Sequence, residues 1–594
     1  MSELFYTNPE SIGSLLSLIE EGKIVLPGFQ RRFEWDTARQ QALIRTILNS
    51  YPAGSLLFLQ YPKAAKLGRR LIDGVDSSKE NSHPERIMLD GQQRLTTLYH
   101  VCFGTLGAYS LRGFISINDA NEFFNNDGKL PDSNEKSGIE LVKKSVKFML
   151  PSIAQAYYNI LENQFESHMI PLTCVFEKEK IVLEGGEKEI GFDEWKALYV
   201  EHHEPDDKGR RLALNKKLEE VKRRFISPIK DYRFPVVVLQ EKTEPHAVCQ
   251  VFVDLNIQQK PLSSFEVAAA KVWPFEIDLY GEWDKAQGIS TISDFLIDPV
   301  LPLKTITLLQ TNEDPDQKIS CSKRALYQLK PDGFKESWTK AIDAMDWLIR
   351  LLKAECGVLH RKWLPYSSLL VSMAATLISA EEAGFQREQE EVKRKLMCWY
   401  WCSVFAETYS GGTDSQNARD FWELQLWMHN KDVPYTVKYF SSMFNPEILR
   451  NTCSGGRYRG AVCLLLRNHA RDFKTAQAIS TSLILDENID DHHVFPDKYL
   501  EKVMDESDWT KRNCILNRAL VDELTNQTIG INPPSKYLGD IRLKIGVDSL
   551  KDVLESQFLP SDPSSALSND NYDEFLNERQ NILAKEIGKL TIYP

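Results

Sequence analysis

The sequence predicts an α+β, multidomain protein, and three observations carry that expectation. At 594 residues the chain exceeds what one hydrophobic core organises, and it should divide into roughly three or four domains. Short apolar runs alternate with helical repeats near the amino end, whereas helical repeats alone dominate the middle. Towards the carboxyl end, acids, imidazoles and asparagines gather in one tract.

Ile12, Leu15, Leu16 and Ile19 recur at helical spacing, Ile24 to Leu26 reads as a short strand ended by Pro27, and Leu43, Ile44, Ile47 and Leu48 mark a second amphipathic helix. After the turn Tyr51-Pro52-Ala53-Gly54, residues 55–59 read as a buried strand, and Lys66 to Pro84 as a polar inserted loop. Ile87-Met88-Leu89 is another strand. It runs straight into Asp90-Gly91-Gln92-Gln93-Arg94, from which a helix with Leu95, Leu98 and Val101 departs. Gln92, Gln93 and Arg94 thus fall at a helix N-terminus, where unpaired amides and the positive dipole end favour a phosphate. Phe234 to Leu239 is a strand expected to complete this sheet. Beyond it, Trp338, Ile342, Met345, Leu348, Ile349 and Leu352 form a helical stripe, and Leu364 to Ala380 and Met397 to Ala406 read as buried helices. His202-His203 reads as part of a polar loop, and the Ser-, Asp- and Pro-rich stretch 560–571 as a linker or mobile loop.

With 42% hydrophobic and 26% charged residues the composition is that of a soluble globular protein. The 10 cysteines contain no Cys-x-x-Cys pair, which points to reduced thiols and a cytoplasmic location rather than a zinc site or disulfide framework. Met1-Ser2-Glu3 opens no signal peptide, and Leu364 to Ala380, interrupted by Pro365, is too short to span a bilayer, so no membrane association is expected. A net charge of -12 opposes nucleic-acid binding unless cations concentrate locally. They do between Arg450 and Lys474, where Arg457, Arg459, Arg467 and Arg471 meet one acid, Asp472; these four arginines are the candidate DNA-binding residues.

Asp490-Asp491-His492-His493-Val494-Phe495-Pro496 is followed by Asn513, Asn517 and Asn526. Carboxylate, imidazole and amide groups are what a hard divalent ion and a water-activating base require for phosphodiester cleavage. The His-Val-Phe-Pro core resembles the first element of an HNH (ββα-metal) nuclease. That resemblance makes His493 the catalytic general base and assigns a Mg²⁺ or Mn²⁺ ion to His492, Asp491 and the asparagines. Asn526 is the preferred second ligand, because Asn526-Gln527-Thr528-Ile529-Gly530 with Pro534-Ser535-Lys536-Tyr537 resembles the end of the motif in one group of these enzymes. Asn513 or Asn517 then braces the loop through backbone hydrogen bonds; which asparagine binds metal, Asn517 or Asn526, stays open.

Pro27-Gly28-Phe29-Gln30-Arg31-Arg32-Phe33-Glu34-Trp35, paired with Asp90-Gly91-Gln92-Gln93-Arg94, resembles the signature of the GmrSD-type, modification-dependent (type IV) restriction endonucleases, as does Phe252-Val253-Asp254-Leu255-Asn256 with Pro261-Leu262-Ser263-Ser264-Phe265-Glu266. The sequence departs from the family at Gln258-Gln259, where a glycine pair is usual, and at Arg32, where proline is usual. The resemblance implies a ParB/sulfiredoxin-like domain that binds and hydrolyses GTP or another nucleoside triphosphate. Asp90 would hold a metal or position a water. Gln30, Gly91, Gln92, Gln93 and Asn256 would line the nucleotide, and Arg31 and Arg94 would neutralise its phosphates. Asp90 and Arg94 are the catalytic candidates here.

The expected organisation is a nucleotide-binding domain over residues 1–273, a helical spacer over 274–441 that dimerises, and an HNH nuclease domain over 442–594. The expected role is a prokaryotic antiviral defence endonuclease acting on double-stranded, modified phage DNA, alone or with other defence proteins. Two alternatives are a ParB-like nucleotide or DNA sensor with a vestigial HNH end that acts through partners, and a phosphotransferase.

Overall fold

Ser11 closes strand β1 (Phe5–Ser11) and its hydroxyl accepts the Ser14 amide, so the chain turns directly into helix α1 (Ile12–Glu20). Ile12, Leu15, Leu16 and Ile19 occupy the buried face of that helix, as their spacing predicts. The computed structural model describes residues 5–61, 68–104, 111–133, 135–150, 160–183, 186–244, 247–248, 251, 263–479 and 489–592. The chain forms two compact units, Met1–Tyr280 and Gly281–Pro594. The stretches expected as spacer and as C-terminal domain therefore lie almost wholly in the second unit.

In the first unit, β2 (Ile24–Pro27), α2 (Thr37–Leu48), β3 (Leu56–Gln60), β4 (Arg69–Arg70), β5 (Arg86–Asp90) and α3 (Gln92–Phe103) follow one another. Three further antiparallel strands, β6 (Arg112–Ser116), β7 (Val146–Met149) and β8 (Met169–Pro171), form a small sheet in the order β7-β6-β8, and β9 (Glu179–Leu183) pairs with β10 (Gly186–Ile190). The chain then returns as β11 (Arg233–Leu239) to the main sheet, whose order is β1-β11-β3-β5-β2-β4. Val236–Leu239 lies parallel to Leu56–Leu59, so the Phe-Pro-Val-Val-Val-Leu run completes the sheet as expected. β5 sits between β3, antiparallel, and β2, parallel, with Ile87, Met88 and Leu89 buried. Its position fixes where the chain emerges at Asp90. Arg69–Arg70 pairs with Leu26–Pro27, and Ser77–Asn81 forms a helical turn, so the described part of the polar stretch carries structure of its own.

His202 and His203 are not loop residues. They end a helix, Phe192–His203, because Phe165 and Tyr199 supply an aromatic surface for both rings: His202 lies 5.3 Å from Phe165 and His203 4.3 Å from Tyr199, centroid to centroid. Arg224 is 2% exposed and donates to the carbonyls of Leu48, Pro131 and Gly138 and to Asn49 Oδ1 at 2.6 to 3.1 Å. It thereby caps the end of α2 from a distant part of the chain.

The second unit begins as a helical assembly. A capping box in the first unit closes α4 (Ser264–Val272), and the second unit supplies α5 (Val300–Glu313), α6 (Phe334–Cys356), α7 (Leu369–Glu382), α8 (Glu390–Phe405), α9 (Thr413–Met428) and α10 (Gly455–Arg467). All six residues of the Trp338 stripe are buried on α6, and Trp399, Tyr400 and Trp401 are buried together on α8, which explains an apolar run with no polar face. Among the described residues no helix is long and apolar enough to cross a membrane.

After α10 come β12 (Ile489–His493), α11 (Asp497–Lys502), α12 (Trp509–Asn513), β13 (Arg518–Asp522), α13 (Glu523–Ile529), α14 (Pro534–Ile545), α15 (Val547–Ser556) and α16 (Tyr572–Thr591). β12 and β13 pair antiparallel, and α13 packs on both strands. The stretch 560–571 is packed rather than a linker: Leu567 is fully buried, and the Asn571 side chain accepts the Glu574 amide to start α16. Arg579 on α16, also fully buried, donates to the carbonyls of Leu516 and Gln557 at 2.7 and 3.1 Å. Replacing Arg224 with methionine leaves four buried acceptors unpaired, and the urea midpoint at neutral pH should record a loss of about 3 kcal/mol or more.

Candidate functional site

The two amino-terminal signature segments are bonded to each other. β5 ends at Asp90, Gly91 turns the chain at φ +104°, and α3 starts at Gln92 without a side-chain cap. An L side chain at 91 would meet that φ as well as Leu56 Cδ2, which lies 2.2 Å from an added Cβ. Gln92 donates to the Arg31 carbonyl at 2.8 Å. Gln93 accepts the amides of Glu34 and Trp35 at 2.9 and 3.1 Å and donates to the Arg32 carbonyl at 3.2 Å. In return, Gln30 donates to the carbonyls of Met88 and Leu89 on β5, at 2.9 and 2.7 Å. Its own amide oxygen is buried without a hydrogen-bond partner.

Arg94 reaches Asp90 Oδ2 at 3.1 Å and the Ala53 carbonyl at 2.8 Å, so the two catalytic candidates form an i,i+4 ion pair that is tied to the turn after α2. Arg31 lies 3.3 Å from Glu34 and 3.8 Å from Glu266, a residue that the sequence placed in the third signature segment. Glu266 is half of the capping box that starts α4. Three segments far apart in sequence therefore meet around Arg31. The Asn256 assignment lies outside the described residues.

In the second unit, the histidine pair closes β12. Cross-strand register pairs His493 with Arg518 and His492 with Ala519, so the adjacent imidazoles leave opposite faces of the hairpin, with ring centroids 6.3 Å apart. His493 Nε2 lies 3.0 Å from Asn513 Oδ1, which also accepts from Arg518 Nη2 at 2.8 Å. Asn513 Nδ2 donates to the Trp509 carbonyl at 2.9 Å, which fixes the orientation of its amide. Because that oxygen only accepts, the neutral His493 must carry its proton on Nε2, leaving the Nδ1 lone pair for a proton. Burial and the nearby Arg518 charge hold the His493 pKa below the ordinary imidazole value.

His492 is lowered further, to about 4, by burial and by the neighbouring His493 and Arg518, and its Nε2 is buried with no hydrogen-bond partner. Asp491 accepts from the Tyr458 hydroxyl and lies 3.8 Å from Arg518, which also donates to the Asp491 carbonyl. Asn517 is fully buried and spends its amide on the backbone: it accepts from Phe495 N at 2.8 Å and donates to the carbonyls of Phe495 and Arg512 at 3.0 and 2.9 Å. It braces the His-Val-Phe-Pro loop. Asn526 is half-buried on α13. Among the described residues no three His, Cys, Asp or Glu side chains converge in a metal-binding arrangement.

The arginine run has a different use from the one its sequence suggests. Arg457 is 6% exposed, pairs with Glu407 at 3.0 Å and donates to the Phe405 carbonyl at 2.9 Å. Arg459 holds the carbonyls of Leu364 and Pro365, and Arg467 that of Glu355. Three of the four arginines dock α10 against its neighbours, and Arg471 is exposed. The sequence reading missed Arg518 and Tyr458. Nothing in their local sequence marks them; only the β12–β13 register puts Arg518 opposite His493.

Residues 12–273 match the GmrSD restriction endonuclease N-terminal domain. The GmrSD-like region thus contains both interlocked signature segments and Glu266. Along nearly its whole length the chain is also similar to an uncharacterized protein of Methanocaldococcus jannaschii, 23% identical over 620 aligned positions that cover 97% of this chain and 98% of the relative.

Both histidines have folded-state pKa values below the unfolded value of ~6.5. As pH falls through ~6.5 the unfolded chain takes up protons that the folded chain refuses, so the second unit loses stability between there and about 4. In metal-free buffer, His492→Gln should lose less thermal stability than the wild type between neutral pH and the acid end of that window, as differential scanning calorimetry would record.

Proposed function

We propose that the chain is a GmrSD-type restriction endonuclease in which the β12–β13–α13 centre, of the HNH class, cuts DNA and the GmrSD-like region binds and hydrolyses a nucleoside triphosphate. The observation that carries the reading is the state of His493 at the end of a strand: neutral, with its proton directed at Asn513 and its Nδ1 left as the basic nitrogen. Such a group accepts a proton from an attacking water at neutral pH without first losing one of its own. Arg518 beside it opposes protonation of the imidazole and so keeps the base available.

In this reading a divalent ion would be held at His492 Nε2, a buried ring nitrogen without a hydrogen-bond partner, with Asn526 on α13 as the second ligand. Mg²⁺ and Mn²⁺ commonly keep waters and bind few protein groups besides substrate phosphate. When bound, the ion would neutralise charge growing on the scissile phosphate. Asp491 and Asn517 are then positioning residues, the first through Tyr458 and Arg518, the second through the loop backbone. An imidazole donor suits softer ions better than Mg²⁺. Mn²⁺ should therefore support nicking at a lower concentration than Mg²⁺, and a titration of both on supercoiled plasmid measures it.

For the nucleotide, Arg31 and the unpaired first-turn amides of α3 would hold phosphates, with the Asp90–Arg94 pair beside them. Gln30, Gln92 and Gln93 keep that surface in shape. The substrate reading, foreign or modified phage DNA, and the defence role rest on the likeness to GmrSD. Substitution His493→Ala should lower nicking about 100- to 10,000-fold and leave nucleotide turnover unchanged, whereas Arg31→Ala should weaken nucleotide binding about tenfold or more. Wild-type nicking by the His493→Ala protein overturns the assignment of the base.

A further inference from the structure

We infer that the helical part of the second unit carries a groove for a nucleotide of a single DNA strand, with the base stacked on Trp422 and the phosphates held by Lys318 and Arg419. The proposal rests on the DNA-directed reading above only for the identity of the polymer. The groove has a volume of about 1090 Å³ and lies at the start of α9, where Lys318, Ser320, Asp414, Ser415, Arg419 and Trp422 line it. That lies at the upper end of the ~300–1,000 Å³ typical of ligand sites and leaves room for a nucleotide.

The charge of the groove is positive despite the acidic protein. Lys304 pairs with Asp414 at 2.6 Å, so the carboxylate in the wall is already compensated. Among the described residues Lys318 forms no ion pair, and Arg419 lies one turn from Glu423, whose carboxylate interacts with the Arg419 charge without a direct ion pair and accepts the Tyr435 amide at 2.8 Å. Two cations on one wall, neither held in a direct ion pair, are the electrostatic footprint of successive phosphates. Ser320 and Ser415 line the same wall, their hydroxyls donating to the Ser322 hydroxyl and to the Gly412 carbonyl.

Trp422 is 50% exposed and lines the groove. The Glu423–Tyr435 bond brings a second aromatic element beside that turn: Tyr435 and Tyr439 are 53% and 44% exposed, with ring centroids 4.8 Å apart. Exposed rings beside cations form a stacking ledge of the kind that binds unpaired bases. In a duplex both faces of each base are already covered by neighbours, which is why the groove selects a single strand or an extruded nucleotide.

The test uses the full chain carrying His493→Ala, in EDTA, with a fluorescein-labelled oligodeoxynucleotide followed by anisotropy. Trp422→Ala should weaken strand binding about 5- to 100-fold while Trp422→Phe retains most of it. Replacing Lys318 and Arg419 together with alanine should flatten the salt dependence by about 1.4. Unchanged strand affinity in these variants, at an unchanged thermal midpoint, overturns the proposal, as does a loss confined to free nucleoside triphosphate or to duplex. Since no cleavage and no metal enter the measurement, a chain that binds strand here but never nicks plasmid sinks the nuclease reading alone.

Discussion

A loop that passes through a protein interior must find partners for backbone groups that no helix or ladder reaches, and in both units side-chain carboxamides do this. Each amide has one accepting and one donating end, so it can close a turn in two directions at once. Gln93 does so across the Arg32–Trp35 segment, Gln30 returns the favour to β5, and Asn517 holds the Phe495 backbone by both its amide and its carbonyl. Gln557 works in the same way on Leu520 and Arg471, fastening β13 from behind. At Gln93, Asn517 and Gln557 a carboxylate would lack a donor, and an ammonium would lack an acceptor. The geometry of Arg31 in one unit and of His493 in the other is inherited from these uncharged clamps.

Much of the fold was legible because its signals are local. The helical spacing of Ile12 to Ile19, the strand at Ile87 to Leu89 and the stripe on α6 each report a face buried by the element that carries them. The turn at Asp90-Gly91 was legible for the same reason, since only a residue without a side chain tolerates that conformation against Leu56. What was not legible depends on register and on distant partners. His202 and His203 look like loop residues until Phe165 is seen to support them, and the Pro560 stretch looks mobile until Leu567 is found in the core.

The arginines show most clearly why charge counts from sequence mislead. Arg457, Arg459 and Arg467 read as a ligand-facing patch because they are close in sequence and unopposed by acids. On a helix such residues face several directions, and these spend their guanidinium groups on carbonyls at the ends of other helices. Arginine suits this use, since its fork serves several oxygens while its stem packs against apolar surface. A protein of net charge -12 therefore has fewer free cations than its composition suggests, and those outside direct ion pairs, such as Lys318, matter more.

Arg579 has a consequence for the order in which the molecule is made. Its guanidinium, on α16, is what pairs the carbonyl of Leu516 just before β13 and that of Gln557 behind it. During synthesis both strands of the hairpin leave the ribosome dozens of residues ahead of this arginine, with their backbone still incompletely bonded. The histidine pair thus acquires a settled surrounding only after residue 579 has emerged and its guanidinium has reached these two carbonyls.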